Sequence, residues 1–393
     1  MADSRALVLG GAGAVCKETT RDLAAYSSFS EIVIADSNRA AVEALIDEIG
    51  DARLRSVPFD ADYYDSMLRV FPDYDVVVNG LPFQYDYPVN LACVEAGVSG
   101  LDISSEEQQF ALHERARSRG MLFVPGMGAT PGITNMMARK AGETLDQVHE
   151  IDVYFAAFRC LAPAPGLLQT TIWEFNPEVK DRDAVYFEDG GYRAAPPLSG
   201  AMKVRFHDLI GEQTVYYVPH PEPKTFPSSF PGLRRTAVRG CFPPHVMETM
   251  TALTRAGLLS SRRVYPGGEA ASSQGVESVE VVRALLAESP YSRENPVWAY
   301  GLVVEAVGTV DGRPARTVYR SVHPSQEIWG GSSAYYKNVG IPLSIGAQMI
   351  AEGQTVGQGV LPPELAFPTA PFFSALAIRG ITVEETVTSL SPD

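Results

Sequence analysis

Cysteine is scarce and scattered in this chain. The four thiols are those of Cys16, Cys93, Cys160 and Cys241, and no two of them form a Cys-x-x-Cys pair. This spacing argues against a disulfide framework and against a cysteine zinc site, and it is typical of reduced thiols in a cytosol. The six histidines do not cluster as metal ligands. We therefore expect a cytoplasmic protein with no bound metal.

Positive charge and long apolar runs are also lacking. The chain has 32 Lys and Arg against 47 Asp and Glu, a formal net charge of −15. Proteins that bind a phosphate backbone are usually basic, so we expect no nucleic-acid partner. No stretch reaches the roughly 18 apolar residues that cross a membrane, and the short apolar run near the N-terminus lacks the pattern of a signal peptide. We expect a small-molecule ligand instead.

Several catalytic motifs are absent. None of the 17 tyrosines is followed four residues later by lysine, which excludes the catalytic pair of short-chain dehydrogenases. The sequence contains neither His-Glu-x-x-His nor a GxxxxGK[ST] phosphate loop. Any active site must therefore be built from other elements.

Short apolar segments alternate with helical patterns through the first third of the 393 residues. Apolar strands separated by helices form a parallel sheet that is covered on both faces. We predict an α/β fold with an N-terminal Rossmann domain, a doubly wound parallel sheet whose ligands bind beyond the carboxyl ends of the strands. The predicted strands are 5–9, 32–35, 54–59, 76–79, 100–103 and 121–124.

A glycine-rich turn follows the first strand, with the pattern Gly11-x-Gly13-x-x-Cys16. The first glycine allows the tight turn, and the second lets a pyrophosphate approach the backbone at a helix N-terminus. The third position usually holds glycine, and we interpret Cys16 as a small residue that still lets helix and strand pack. The turn predicts cofactor contacts from Gly11, Gly13, Ala14 and Val15.

An acidic residue ends the second predicted strand. Asp36 lies near the expected separation of about 20 residues from the turn, where its carboxylate can bind both hydroxyls of the adenosine ribose and would repel a 2′-phosphate. We therefore expect NAD as the cofactor. NADP is the alternative, because Arg39, three residues later, could hold that phosphate.

Three further loops, 79–82, 102–105 and 125–132, follow strands four, five and six at the same edge of the predicted sheet. Ligand-binding residues concentrate on loops at this edge. The first two loops predict further cofactor contacts, which we assign to Gly80, Leu81, Pro82, Asp102 and Ile103.

The pattern changes beyond about Thr134. Two extended segments, 300–310 and 314–322, flank Asp311-Gly312, a strong hairpin signal. Segment 341–353 is helical again. We expect a second α+β domain on a mixed or antiparallel sheet. The predicted units are a Rossmann domain at 1–133, a substrate and dimerisation domain at 134–340, and a segment at 341–393 that returns to the first domain.

Five elements occur in a characteristic order: GGAGAV at 10–15, VVVNGLP at 76–82, GVSGLDIS at 97–104, GMGATPGITN at 126–135 and GQGVLPPE at 357–364. In this order the chain resembles the saccharopine dehydrogenase and lysine 6-dehydrogenase family. The resemblance implies NAD(P)-dependent oxidation of a C–N bond in an amino acid, or reduction of the matching imine. It also implies a central dimerisation domain, so we expect a homodimer.

The motif match implies a role for four residues at the domain cleft. We expect Ser104, Ser105, Thr130 and Asn135 to position the substrate or the nicotinamide. The alternative for Asn135 is to cap the helix that begins there. Thr130 stands where much of the family has Asp before Pro-Gly, and this departure leaves the substrate open.

Segment 217–225 concentrates His, Glu and Lys side chains between prolines that stiffen the loop. His220 is the leading candidate for an acid/base or substrate-binding group, because histidine titrates near neutral pH. We expect Thr225 to bind substrate beside it. The alternative is a proline-rich surface loop. Candidates for the substrate carboxylate, which could equally be structural, are Arg159, Arg234 and Arg235.

Three functions remain open. The first is a lysine 6-dehydrogenase or a saccharopine dehydrogenase. The second is a biosynthetic imine reductase of the same family acting on another amine, of the carboxynorspermidine type. The third is a protein that holds a nucleotide without turnover, which the departures at Cys16 and Thr130 keep open.

Overall fold

A computed structural model describes residues 4–176, 178, 184–265, 275–294 and 297–390. The N-terminal part alternates strands and helices as expected. Its strands are β1 (Arg5–Leu9), β2 (Glu31–Ala35), β3 (Leu54–Val57), β4 (Val76–Asn79), β5 (Ser99–Asp102) and β6 (Leu122–Val124). Its helices are α1 (Cys16–Tyr26), α2 (Arg39–Ile49), α3 (Tyr64–Val70), α4 (Asp86–Ala96) and α5 (His113–Arg117).

The first sheet is parallel throughout and seven-stranded, with the order β17-β6-β5-β4-β1-β2-β3, where β17 is the late strand Gly359–Val360. The strand order reverses between β1 and β4, and this switch point is where such folds bind dinucleotides. The prediction of a doubly wound Rossmann sheet is confirmed.

The remaining elements build a second sheet with helices around it. Helices in this part are α6 (Ile133–Thr144), α7 (Pro165–Phe175), α8 (Glu222–Ser229), α9 (Pro244–Arg255), α10 (Ser278–Glu288), α11 (Gln326–Trp329), α12 (Ser333–Ala351), α13 (Pro363–Ala366) and α14 (Thr369–Ile378). Strands are β7 (Gln147–Phe158), β8 (Val185–Glu188), β9 (Gly191–Ala194), β10 (Met202–Arg205), β11 (Glu212–Tyr217), β12 (Arg235–Cys241), β13 (Arg263–Val264), β14 (Val276–Glu277), β15 (Ala299–Val310), β16 (Arg313–Val322) and β18 (Thr382–Ser389).

This second sheet is mixed. Its main path runs β10-β11-β12-β7-β15-β16-β18, and only the β12–β7 pair among them is parallel. The predicted hairpin is β15–β16, and both of its turn residues, Asp311 and Gly312, have positive φ, as a two-residue hairpin turn requires. The expected second domain on a mixed sheet is confirmed.

The chain beyond residue 341 contributes one strand to each sheet. β17 extends the first sheet beside β6, but β18 pairs with β16 at an edge of the second sheet. The expectation that all of 341–393 returns to the first domain is therefore wrong for β18. This strand is rich in threonine and mostly exposed, which suits the edge of an antiparallel sheet. Within the described residues, no helix has both the length and the apolarity to cross a membrane.

Helix α12 packs closely on α1, directly behind the glycine-rich turn. The hydroxyl of Thr19 donates a hydrogen bond of 3.0 Å to the carbonyl of Gly340. A Cβ on Gly340 would lie 3.0 Å from both Thr19 N and Val15 O. Arg379, just after α14, also reaches α1 through a buried ion pair of 2.7 Å with Asp22. The C-terminal segment therefore fixes the helix that would receive the cofactor's phosphates.

We predict that Gly340→Val lowers the free energy of unfolding by about 1–3 kcal/mol, because added carbons must push against the backbone of α1. Urea unfolding measures this change. Gly166→Val is the matched control, since Gly166 is exposed and a Cβ there meets no atom within 4 Å. Equal stability of the two variants would show that α1 and α12 do not pack this closely.

Candidate functional site

The glycine-rich turn and the β4 loop approach each other at the switch point. Gly10 has a φ of +66°, and a Cβ on it would lie 3.0 Å from the carbonyl oxygen of Gly80. A Cβ on Gly80 would collide with the thiol of Cys16, which is buried. The thiol of Cys16 therefore occupies the space that a side chain on Gly80 would need. The replacement of glycine by Cys16 at the third motif position is thus part of the packing beneath the turn.

A groove of about 770 Å³ runs along the ends of β2, β3 and β4. Asp36, Arg39, Leu81 and Pro82 line it. The Asp36 carboxylate accepts hydrogen bonds from the backbone N–H groups of Ala12, at 3.2 Å, and Asn38, at 2.9 Å. The Asp36 side chain thus connects this groove to the glycine-rich turn, and these residues fit an adenine dinucleotide whose phosphates lie at the start of α1.

Asp102 has a different place from the one expected. Its side chain is fully buried, and its carboxylate accepts hydrogen bonds from the side chain of Gln109 and from the backbone N–H groups of Ser104, Ser105 and Gly126. Burial raises the pKa of Asp102 to about 6 despite these bonds. The expectation of a direct cofactor contact is therefore corrected, because this carboxylate holds the β5 and β6 loops together.

Two chambers lie beyond the carboxyl ends of β5 and β6, between the two sheets. The inner chamber measures about 170 Å³ and the outer about 310 Å³. Ser104 and His220 line both, so they mark the junction. Of the other predicted site residues, Ile103 and Thr130 line the inner chamber, and Ser105 and Thr225 line the outer.

His220 is held by a buried carboxylate. Its Nδ1 lies 3.3 Å from Oε2 of Glu222, the first residue of α8. The other oxygen of Glu222 accepts hydrogen bonds from the hydroxyls of Thr130, at 2.6 Å, and Thr134, at 3.1 Å. Burial alone would raise the pKa of Glu222, but its charge and hydrogen-bond interactions with His220 and its bond from Thr130 lower it below the usual value. Because an ionised carboxylate only accepts, Nδ1 carries the hydrogen of this pair.

Asn135 does not face a chamber. Its side-chain oxygen accepts from the N–H of Gly132 at 2.8 Å, and its amide donates to the buried Glu364 at 2.8 Å. Glu364 also accepts from Ser229, the last residue of α8. The expectation of substrate binding by Asn135 is corrected, since both groups of its side chain are engaged in capping α6 and linking it to α8.

The predicted arginines differ in their surroundings. Arg159 is buried beside the inner chamber, and all five of its N–H groups donate to protein acceptors. Arg235 forms an ion pair of 2.6 Å with Asp152. Neither Arg234 nor Arg235 lines a chamber in the described part of the chain. Arg159 therefore contributes charge to the inner chamber without a spare donor for a substrate carboxylate.

One acidic residue in the inner chamber, Glu174, was not identified in the sequence analysis. Glu174, in the last turn of α7, lines the chamber beside Trp173. Burial raises the pKa of its carboxyl to about 7. The available signal was an acid within the apolar run Ile172–Phe175. Glu222 was also missed as a site residue, although its spacing of two residues from His220 and the prolines around it were visible.

Family models match both parts of the chain. Residues 6–124 match the saccharopine dehydrogenase NADP binding domain, and residues 128–381 match the saccharopine dehydrogenase C-terminal domain. The chain belongs to the saccharopine dehydrogenase family. The resemblance stated from the sequence is confirmed, and the chain is an NAD(P)-dependent dehydrogenase of an amino acid or amine.

Relatives in this family align over different lengths. Carboxyaminopropylagmatine dehydrogenase of Synechocystis sp. is 26% identical over 408 aligned positions, which cover 98% of each chain. Alpha-aminoadipic semialdehyde synthase of Arabidopsis thaliana is 25% identical over 160 positions, 36% of this chain and 15% of that protein. The apo structure of saccharopine dehydrogenase (L-Glu forming) from Saccharomyces cerevisiae covers 98% of this chain and 100% of its own, with 16% identity and a TM-score of 0.72, so the two share a fold.

We predict that Asp36→Ser raises the ratio of NADP⁺ to NAD⁺ efficiency, as kcat/KM, by about tenfold or more, because it removes both the partner of the ribose hydroxyls and the charge that repels a 2′-phosphate. Initial rates with each cofactor measure this ratio. Asp47→Asn, an exposed acid on the following helix α2, is the matched control. An unchanged ratio would mean that Asp36 does not face the ribose.

Proposed function

We propose that this enzyme interconverts an imine and a secondary amine that carries an amino-acid arm. The observation that supports this proposal is the position of His220, whose ring lines both chambers. The two chambers meet at His220, a side chain that can carry a proton. A substrate with two arms joined at one C–N bond fits this arrangement, with one arm in each chamber and the bond at His220. The Synechocystis relative is named for such a compound, a carboxyaminopropyl group joined to agmatine.

His220 carries the proton of the reaction in this proposal. Its side chain is only 12% exposed, and its ring packs against Phe155 at a centroid distance of 5.1 Å. The ionised Glu222 holds Nδ1–H and so fixes both the tautomer and the ring orientation. The opposite nitrogen, Nε2, is then the one that exchanges a proton with the substrate nitrogen.

The chemistry balances with one hydride and one proton. A bound nicotinamide supplies the hydride to the imine carbon, or removes it in the reverse direction. In reduction, the electron pair of the C=N bond moves to nitrogen, which takes the proton from His220, and solvent returns a proton to the ring. In oxidation, His220 takes that proton from the nitrogen.

The outer chamber suits the amino-acid arm. The ammonium of Lys224 lies there, 2.8 Å from a carboxylate oxygen of Glu107, whose side chain is 77% exposed. An exposed pair of this kind is weak, so a substrate carboxylate can replace Glu107 beside Lys224. Four hydroxyl groups surround this position, those of Ser104, Ser105, Thr225 and Ser228.

Oxidation of a small panel of amines tests the substrate class. NAD(P)H absorbance is followed with L-lysine, saccharopine and carboxyaminopropylagmatine, each with NAD⁺ and with NADP⁺. We expect oxidation of one of the two secondary amines. Turnover of lysine alone would make the enzyme a lysine 6-dehydrogenase and overturn the proposal. Cofactor binding without turnover of any secondary amine would favour the nucleotide-binding alternative.

We predict that His220→Gln lowers kcat by about 100-fold to 10,000-fold, since the variant loses the proton carrier while a polar group of similar size remains. Steady-state kinetics with the amine that the wild type oxidises measures this effect. His149→Gln is the matched control, because His149 lies on β7 away from both chambers. A kcat within a factor of about three of the wild type would remove His220 from the proton transfer.

A cytoplasmic location and a homodimer are further parts of the proposal. The four cysteines are all buried and unpaired, which supports a reducing compartment. Light scattering after size-exclusion chromatography tests the dimer, and a mass of one chain would contradict it.

A further inference from the structure

The inner chamber has aromatic walls. One of its faces is a tight pair, in which the rings of Phe83 and Trp173 meet edge to face with centroids 4.1 Å apart. Aromatic faces attract cations, and the attraction grows where water is excluded. Four further aromatic side chains line the chamber, those of Phe155, Phe242, Tyr300 and Tyr335.

Glu174 places a carboxyl group inside these walls. Its Oε2 atom is buried, and no hydrogen-bond donor reaches it from the described residues. A buried polar atom without a partner costs free energy that a ligand with N–H donors would recover. The chamber is therefore missing a donor at this position.

The charges around the chamber leave room for one cation. Arg159 contributes one positive charge and Glu222, which lies behind His220, one negative charge, so these two balance while His220 is neutral, as it must be to take the proton in oxidation. An ionised Glu174 then gives the chamber one negative charge in excess. A carboxylate arm would meet this excess charge and would find no spare donor on Arg159, whereas a cationic arm would neutralise it.

We propose that the inner chamber binds a cationic nitrogen group, an ammonium or a guanidinium, at the end of the substrate's amine arm, with Glu174 as its counter-ion. The inference rests on the proposed function for one point, that the reacting C–N bond lies at His220. The amino-acid arm then occupies the outer chamber. The charges of Lys224 and Glu174 thus determine which end of the substrate enters which chamber.

Binding of such a cation must be coupled to the protonation of Glu174. Its raised pKa, about 7, means that the carboxyl is mostly protonated below that pH and ionised above it. Ammonium and guanidinium groups stay charged through this range. Below pH 7 the cation therefore displaces a proton, and its affinity falls by up to about tenfold per pH unit, while above pH 7 affinity is constant. The other titratable groups that face Glu174 are Arg159, His220, Tyr300 and Tyr335.

Calorimetry with three amines of matched length tests the inference without turnover. The probes are agmatine, 5-aminopentanamide and 5-aminopentanoate, which share one amino end, the end that corresponds to the reacting nitrogen, and differ at the other, where they carry a cation, a neutral amide and an anion. Each is titrated into protein saturated with oxidised cofactor, in two buffers of different ionisation enthalpy. We expect agmatine to bind about tenfold or more tightly than the amide, and the anion most weakly. Below pH 7 agmatine should release up to one proton per site.

Glu174→Gln keeps the shape of the side chain and removes its charge. We expect this variant to bind agmatine and 5-aminopentanamide equally, with no proton release. Glu248→Gln, an exposed acid on α9, is the matched control and should behave as the wild type. His220→Asn separates the two titrations, because proton release that persists in this variant comes from Glu174.

The inference would be overturned if Glu174→Gln still bound agmatine more tightly than 5-aminopentanamide. It would also be overturned if proton release were lost in His220→Asn but kept in Glu174→Gln. These outcomes are independent of catalysis. An enzyme that turns over no secondary amine but binds agmatine through Glu174 would contradict the proposed function and leave this site in place. An active enzyme that binds agmatine equally well with and without Glu174→Gln would support the proposed function and contradict the inferred cation site.

Discussion

The site depends on two buried carboxylates that clamp helix α8 to helix α6. Glu222, at the start of α8, accepts from Thr130 and Thr134, and Glu364 joins Ser229, at the end of α8, to Asn135. These bonds are short and shielded from water, so breaking any one would leave a buried charge or donor without a partner. The loop that carries His220 therefore has one position relative to the Rossmann loops, and the two chambers follow from that position.

Local patterns in the sequence were sufficient for the fold but not for the site. The parallel sheet, the hairpin at Asp311-Gly312 and the candidacy of His220 follow from periodicity, turn residues and titration chemistry, which are properties of neighbouring residues. Three features depend on partners that are distant in sequence or supplied by the backbone. They are the burial of Asp102, the capping role of Asn135 and the engagement of all five N–H groups of Arg159. Glu174 is the clearest case, because an acid in an apolar helix gives no sign of the cavity that it faces.

Charge is divided between the chambers in a way that the net charge of the protein does not reveal. The outer chamber pairs the ammonium of Lys224 with one exposed carboxylate, that of Glu107, where exchange of partners costs little free energy. The inner chamber holds Arg159 and Glu174 in aromatic surroundings, with Glu222 buried behind His220, and each charge there needs a fixed counterpart. A flexible, zwitterionic end of a substrate suits the first environment, and a single permanent charge suits the second.

The chain from Ser333 onward places one strand in each sheet, and its helix α12 packs along α1. The two halves are thus joined by several separated crossings of the chain rather than by one linker. A rotation of one half relative to the other would have to bend the chain at all of these crossings at once. Helix α12 adds to this restraint, because it packs on α1 in the first half and on β15 in the second. The C-terminal segment consequently restrains the two halves from separating.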